Sequence, residues 1–351
     1  MKKYLFFLGA CIVTSIAFMA LVLGSCSTEE GANGILFWSN SSQAPVFLGC
    51  KAVAEDEIEF TFSKPVKVKS INFNPELAIV SSDTADHDDR IVRVKLEEKL
   101  PPGILLTADI LAEDDKRNTI NVLVPFRSRN NRMPKLEINE FRTEYSRSVS
   151  AARTTYRVEF AELKIKTAGN FGGMRVVMAG GSQKPTVYTF APVEVRAGDY
   201  VALHFRKMED ACKDEYGRLD ESGGTEAVPT AREFWIPGTD KLINKTGFIY
   251  VLDQDDEVLS AVMFSETPDV LWKKDYLAEA AEFLHQKGAW TNASGGICSP
   301  ADSIITIGTT ATRTICRDET KPNTNTAADW YITVTSGQTP GRTNNTGRYA
   351  P

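Results

Sequence analysis

Glu57-Ile58-Glu59-Phe60-Thr61-Phe62 alternates charged or polar side chains with large apolar ones without a break. A period of two puts every second side chain on one face of an extended strand, so this stretch predicts a strand with one buried face. Outward from it, Lys67-Val68-Lys69-Ser70-Ile71 nearly repeats the pattern, and residues 90–96 alternate again. Between these runs stand Lys64-Pro65, Asn74-Pro75, the acidic 83–89 stretch, Pro101-Pro102-Gly103 and the polar 114–118 segment. Turn residues at such short intervals belong to a sandwich, since βαβ units would need helical stretches between the strands. Residues 35–129 are therefore expected to form one all-β body.

Phe60-Thr61-Phe62-Ser63-Lys64-Pro65-Val66 and Leu100-Pro101-Pro102-Gly103 resemble the bacterial Ig-like domains of surface proteins. A basic, Asn-rich linker at 130–135 follows, and the pattern starts afresh at 136. Leu136-Glu137-Ile138-Asn139-Glu140-Phe141 opens a strand, and Arg157-Val158-Glu159-Phe160-Ala161-Glu162-Leu163-Lys164-Ile165 supplies a longer one. These, with Gly172-Gly173-Met174, Tyr188-Thr189-Phe190, Ala197-Gly198-Asp199-Tyr200, Ala311 to Arg317, Ala328-Asp329-Trp330 and Thr339-Pro340-Gly341 with Asn344, resemble a lamin-tail domain in order and kind. The resemblance implies a second Ig-like sandwich over 136–346, with a short tail at 347–351. Gly198 would sit in a turn conformation closed to other residues, and Trp330 would close one end of the sandwich. Residues 267–290 depart from the family's shortest form. Thr267-Pro268 starts a helical pattern with Trp272, Tyr276, Ala280 and Leu284 on one face, and Lys287-Gly288 ends it. The expected fold class is all-β: two Ig-like β-sandwich domains in tandem, with one short helix inserted in the second.

The amino end gives an address. Lys2 and Lys3 precede an uncharged run from Tyr4 to Leu23, and Leu23-Gly24-Ser25-Cys26 resembles a bacterial lipobox, whose cysteine thiol takes a diacylglycerol. Residues 1–25 then read as a lipoprotein signal peptide, Cys26 as the lipidation site and 26–34 as a flexible tether. An uncleaved membrane-spanning helix is the alternative. Both make the chain exported and membrane-anchored, and the whole resembles a spirochaete-type bacterial lipoprotein. Membrane lipid is one expected partner, through the acyl anchor.

With 40 basic against 46 acidic residues, and two of the lysines in the signal, the body is acidic, which argues against a general nucleic-acid surface. Two local basic patches remain, Arg127, Arg129 and Arg132 at the hinge and Arg142, Arg147, Arg153 and Arg157 beyond it, which read as a solvated linker and strand edge; the hinge is the alternative nucleic-acid contact. The cysteines fit an oxidising compartment. Cys298 and Cys316 flank a Thr-rich loop and are the expected disulfide, with Cys212 as the alternative partner. Zinc spacing is absent, since His87, His204 and His285 are scattered.

No run carries catalysis. Gly180-Gly181-Ser182-Gln183-Lys184 lacks the closing glycine of a nucleophile elbow and reads as a hairpin turn. Asp253-Gln254-Asp255-Asp256-Glu257 lacks the glycine and terminal carboxylate of a calcium loop, and reads as a turn between strands at 248–252 and 258–263. His87 stands in an acidic loop with no nucleophile in view. Glu137, Glu140, Glu159 and Glu162 could pair as carboxylates but are expected on solvent faces. The expectation is a non-catalytic binding, adhesion or scaffolding protein of the cell envelope, without cofactor, metal or small-molecule substrate. Loops 205–236 and 290–316 would face a protein partner. A rival reading gives metal-dependent phosphodiesterase chemistry to the acidic insertion at Cys212, Asp214, Glu215 and Asp220.

Overall fold

The computed structural model describes residues 44–85, 88–180 and 184–350. The signal, Cys26, the tether, His87 and Ser182 lie outside them. The chain divides into two units, one comprising residues up to 99 with 105–128, the other 100–104 with 129–351.

In the first unit, β1 (Phe47–Ala54), β2 (Glu57–Phe62), β3 (Lys67–Asn74), β4 (Ile79–Ala85), β5 (Asp88–Leu96), β6 (Leu105–Glu113) and β7 (Thr119–Arg127) make two antiparallel sheets, ordered β1-β2-β5-β4 and β3-β6-β7. The period of two is the cause. Ile58, Phe60 and Phe62 of β2 are fully buried while Glu57, Glu59 and Thr61 between them are only partly covered. Val92, Val94 and Leu96 on β5, and Leu106, Ala108, Ile110 and Ala112 on β6, repeat the alternation. A register slip of one residue would expose every one of them.

The second unit begins with β8 (Leu136–Arg142), β9 (Ser146–Val149), β10 (Thr154–Arg157), β11 (Phe160–Ile165), β12 (Gly169–Asn170), β13 (Arg175–Gly180) and β14 (Thr186–Thr189). It continues with β15 (Glu194–Val195), β16 (Tyr200–His204), β17 (Arg232–Trp235), β18 (Gly247–Leu252), β19 (Val258–Ser265), α1 (Asp275–Gln286), β20 (Ile304–Ile305), β21 (Ile315–Arg317) and β22 (Trp330–Ile332). A six-stranded sheet, β17-β16-β11-β8-β21-β22, faces a five-stranded one, β14-β13-β18-β19-β20. Ile138, Phe141, Leu163, Val201, Leu203, Phe234 and Ile315 from the first sheet share one buried core with Val176, Met178, Ile249, Val262 and Phe264 from the second. Gly198 takes φ +93° at the turn into β16, a conformation that a Cβ would strain. Asp253 to Glu257 form the turn of the antiparallel β18–β19 hairpin.

The helix is shorter than the sequence predicts. It starts at Asp275, because the preceding residues are tied elsewhere: Asp269 O accepts the Ala301 N–H at 3.0 Å, and the Trp272 indole N–H donates to Cys298 O at 2.9 Å. Leu277, Ala280, Ala281 and Leu284, at helical spacing, are buried, and α1 packs on β18 and β19. Gly288 at φ +63° follows its end.

Candidate functional site

Two regions of the second unit carry the chemistry-bearing residues. The first is the face of the six-stranded sheet turned away from the core. Strand register lines up Glu233, Ala202, Glu162, Glu140, Cys316 and Tyr331 as one row across six strands, with Trp235, His204, Phe160 and Arg142 as the next. The solvent faces expected for Glu140, Glu159 and Glu162 are not found: all three are fully buried. Loop segments cover this face and fill the bonding needs of its acids.

Glu140 accepts the Thr339 N–H at 2.9 Å and the Thr339 hydroxyl at 3.0 Å. Its register partner Glu162 accepts the Gly341 N–H at 2.5 Å and the Asn139 side-chain amide at 3.0 Å. Asn344 closes the clamp, donating to Asn139 O and Arg317 O at 3.0 and 2.9 Å. Burial pushes both carboxyls above the ordinary 4.5, Glu162 by a wide margin, and the charge of Glu140 adds to the effect on Glu162. Burial likewise raises Glu159, whose Oε1 takes an N–H of Arg206 at 2.5 Å. Arg142, fully buried, pairs with Glu226, donates to Val158 O at 3.1 Å and lies 5.0 Å over the Phe160 ring. His204 stacks on Trp235 at 3.7 Å and pairs with Glu233, which also accepts the Val228 N–H at 2.9 Å.

The 205–236 loop forms part of this cover, while Tyr216 and Leu219 on it stay exposed. Asp214 accepts the Trp235 N–H at 2.8 Å, and Glu215 accepts those of Ser222 and Glu233 at 3.0 and 2.9 Å. Glu209 takes the Thr225 N–H at 2.8 Å. Asp220 pairs with Arg218 at 3.3 Å. Among the described residues no group of three His, Cys, Asp or Glu side chains is placed to hold a metal ion.

The structure does not show the expected disulfide. Cys212, Cys298 and Cys316 are thiols that no bridge joins. Cys298 receives the Trp290 indole N–H at 3.3 Å, Cys316 lies on the polar face beside Glu140, and Cys212 packs with Val158 and Trp235. Burial pushes Cys298 up to about 12 and Cys212 up to about 11, away from thiolate chemistry. The basic hinge is neutralised in part: Arg129 meets Asp255 at 2.6 Å and Arg132 meets Glu194 at 2.7 Å.

The second region is an open groove of about 490 Å³ where the edge strands β20 and β22 of the two sheets come together. Ile304, Ile305, Ile307, Trp330, Ile332 and Tyr349 supply its apolar lining. The carboxy-terminal residues build one wall. Tyr349 N–H donates to Ile332 O at 2.8 Å, and its ring fits against Gly308, where an added Cβ would lie 2.2 Å from Cε1. Arg313 lies 4.2 Å over Tyr349, and Arg348 lies 4.5 Å over Tyr331 while pairing with Asp318 at 2.6 Å. The Thr320 hydroxyl, donating at 2.6 Å, and that arginine hold the Asp318 carboxyl down to about 2. Ile304, Ile305 and Ile307 lie in the 290–316 segment expected to face a partner, but sequence reasoning missed Trp330, Ile332 and Tyr349 as the rest of the groove, because they come from segments with no periodicity. The apolar run Ile-Ile-Thr-Ile at 304–307 was its one signal.

A family model named TP_1001_2nd, described as a protein second domain, matches residues 134–332. The chain belongs to that family. The TP_1001_2nd region falls inside the second unit and contains β20, β22 and the buried acids. An uncharacterized protein of Treponema pallidum (strain Nichols) is 28% identical over 191 residues, 51% of this chain and 46% of that protein. The chain thus spans less than half the length of that relative. Among solved structures, a DUF4876 family protein from Bacteroides thetaiotaomicron has a TM-score of 0.29 at 11% identity, covering 75% of this chain and 90% of its own. The N-terminal part of the bacterial S-layer protein SbsC has a TM-score of 0.24 at 13% identity, covering 35% and 41%. Scores this low add nothing to the argument.

Proposed function

We propose that this chain is a spirochaete-type envelope lipoprotein, moored through Cys26, that binds an extended segment of a partner protein and catalyses nothing. The first unit serves as an Ig-like spacer and the second as a lamin-tail-like binding body. The observation that carries this reading is the groove between β20 and β22. Apolar side chains at two strand ends offer an extended peptide pockets for its alternate side chains, as in strand addition, a mode the carboxy-terminal residues already use on β22 through Tyr349 N–H to Ile332 O.

The bonding of the acids weighs against the rival chemistry. Asp214, Glu215 and Glu209 are occupied with backbone N–H groups, and Glu140 and Glu162 with Thr339 and Gly341. Freeing any of them for a metal would leave buried donors without acceptors, at about 1–3 kcal/mol each.

An array of overlapping peptides from the envelope proteins of the source cell, probed with the purified chain, tests the proposal. Selected peptides should carry alternating apolar residues, and Ile307→Arg should abolish their binding. Binding unaffected by Ile307→Arg, or nuclease activity of the purified chain that EDTA removes, would overturn it.

A further inference from the structure

Val270 and Leu271 are 81% and 78% exposed, more than any other large apolar side chain described. They sit next to each other in the loop between β19 and α1, and that loop is braced on both sides. Before them, the Thr267 hydroxyl donates to Asp269 at 2.6 Å, and Asp269 O holds the Ala301 N–H. After them, half-buried Trp272 points its indole N–H to Cys298 O, and Cys298 is itself buried under Trp290. The same contact brings in the facing loop, where Ile297, adjacent to Cys298, is 50% exposed. Three aliphatic side chains are thus held out in water by a loop too well tied to fold them away. Nothing in the second unit's core needs them there.

Lys273 and Lys274 follow at once. Lys273 is 76% exposed and pairs with Asp269 at 2.9 Å, while Lys274 is exposed at the amino end of α1. Aliphatic tips with lysines directly behind them match the two layers of a bilayer surface: acyl chains below and phosphate groups above, which a lysine stem can span. We infer that the 270–274 loop, with Ile297, is a membrane-contact tip that inserts Val270 and Leu271 among lipids while its lysines meet anionic headgroups. A bilayer is the occupant favoured by two features. The aliphatic pair protrudes, 81% and 78% exposed, so a deformable partner suits it better than a shaped one. The lipidation expected at Cys26 keeps the chain at such a surface, with Ala44 at most about 60 Å of extended chain away. The inference rests on the anchored reading.

Leu271→p-benzoylphenylalanine in the full chain, photolysed in cells, tests it. The expected product is a covalent phospholipid adduct at 271, lost when Val270→Asp is added, and absent with the photoprobe at Leu123, which is 73% exposed in the first unit. An adduct to a protein at 271, an equal lipid adduct at 123, or no adduct from an anchored chain would overturn it. Fatty-acid labelling of the same samples reports the anchor separately. An unlabelled chain is photolysed again with phosphatidylglycerol vesicles, where a phospholipid adduct supports the tip and none overturns it.

Discussion

Replacing Glu162 by Gln removes a buried acid while keeping its shape, and its effect should depend on pH in one direction. In the folded chain Glu162 is fully buried beside its register partner Glu140, and burial, then the Glu140 charge, raises its pKa well above 4.5. In the unfolded chain it titrates near 4.5. Below that pH both states hold the proton, and the group leaves stability unchanged. Above it the unfolded chain releases the proton that the native chain keeps, so the native state loses about 1.4 kcal/mol per pH unit until the folded pKa is passed. The Gln variant has no such proton. Its stability minus that of the wild type should therefore rise at about that slope from pH 4.5 upward, to a plateau. The absolute offset depends on whether the Asn139 amide turns; its Oδ1 has no partner and could accept the new Gln N–H. The slope does not. Since Glu140 and Glu162 titrate as a pair, the slope belongs to both. Urea unfolding followed by fluorescence of the buried Trp235 and Trp290, at intervals from pH 4 to pH 8, measures it. A flat or falling difference across that range would refute the argument that both carboxyls are sealed from water.

Arg142→Met should cost about 3–5 kcal/mol, because it strands Glu226 and removes the donor to Val158 O; adding Glu226→Gln should recover part of that loss in the same unfolding assay. With its thiols unbridged, the chain should keep its melting temperature in dithiothreitol, and a thiol reagent should label partly exposed Cys50 first and buried Cys212, Cys298 and Cys316 only on unfolding, read by peptide mass. Gly198→Ala meets no atom within 4 Å and should cost only the backbone strain of φ +93°, about 1 kcal/mol, read by the same denaturation curves. Gly308→Ala should cost more and weaken peptide capture as well, since its Cβ would displace the Tyr349 ring from the groove wall, which calorimetry of unfolding and of binding would separate.

Periodicity made the fold legible where each strand has one wet face. The alternation of residues 57–62 returned as the buried Ile58, Phe60 and Phe62 of β2, and the glycine at 198 as a left-handed turn. It misled at β8 and β11. Period two assigns Glu140 and Glu162 to the face opposite Phe141 and Leu163, but cannot tell whether that face meets water or a loop. What seals it are Thr339, Gly341 and Asn344, some two hundred residues along the chain, and the 205–231 loop. The helix was placed by its apolar spacing, but its start was set by the Asp269–Ala301 and Trp272–Cys298 bonds, which no local pattern encodes. Cysteine spacing in the sequence suggested a disulfide; the fold instead buries Cys298 under Trp290 and Cys316 against the acids.

Hydrogen exchange on the chain with and without a peptide selected by the array tests the central claim, that the groove between the two sheet edges is the binding site. Amides of Ile304, Ile305 and Trp330 to Ile332 should gain protection on binding, while those of the first unit's β2 and β5 stay unchanged. Protection confined to the first unit, or none at β20 and β22 under saturating peptide, would contradict it.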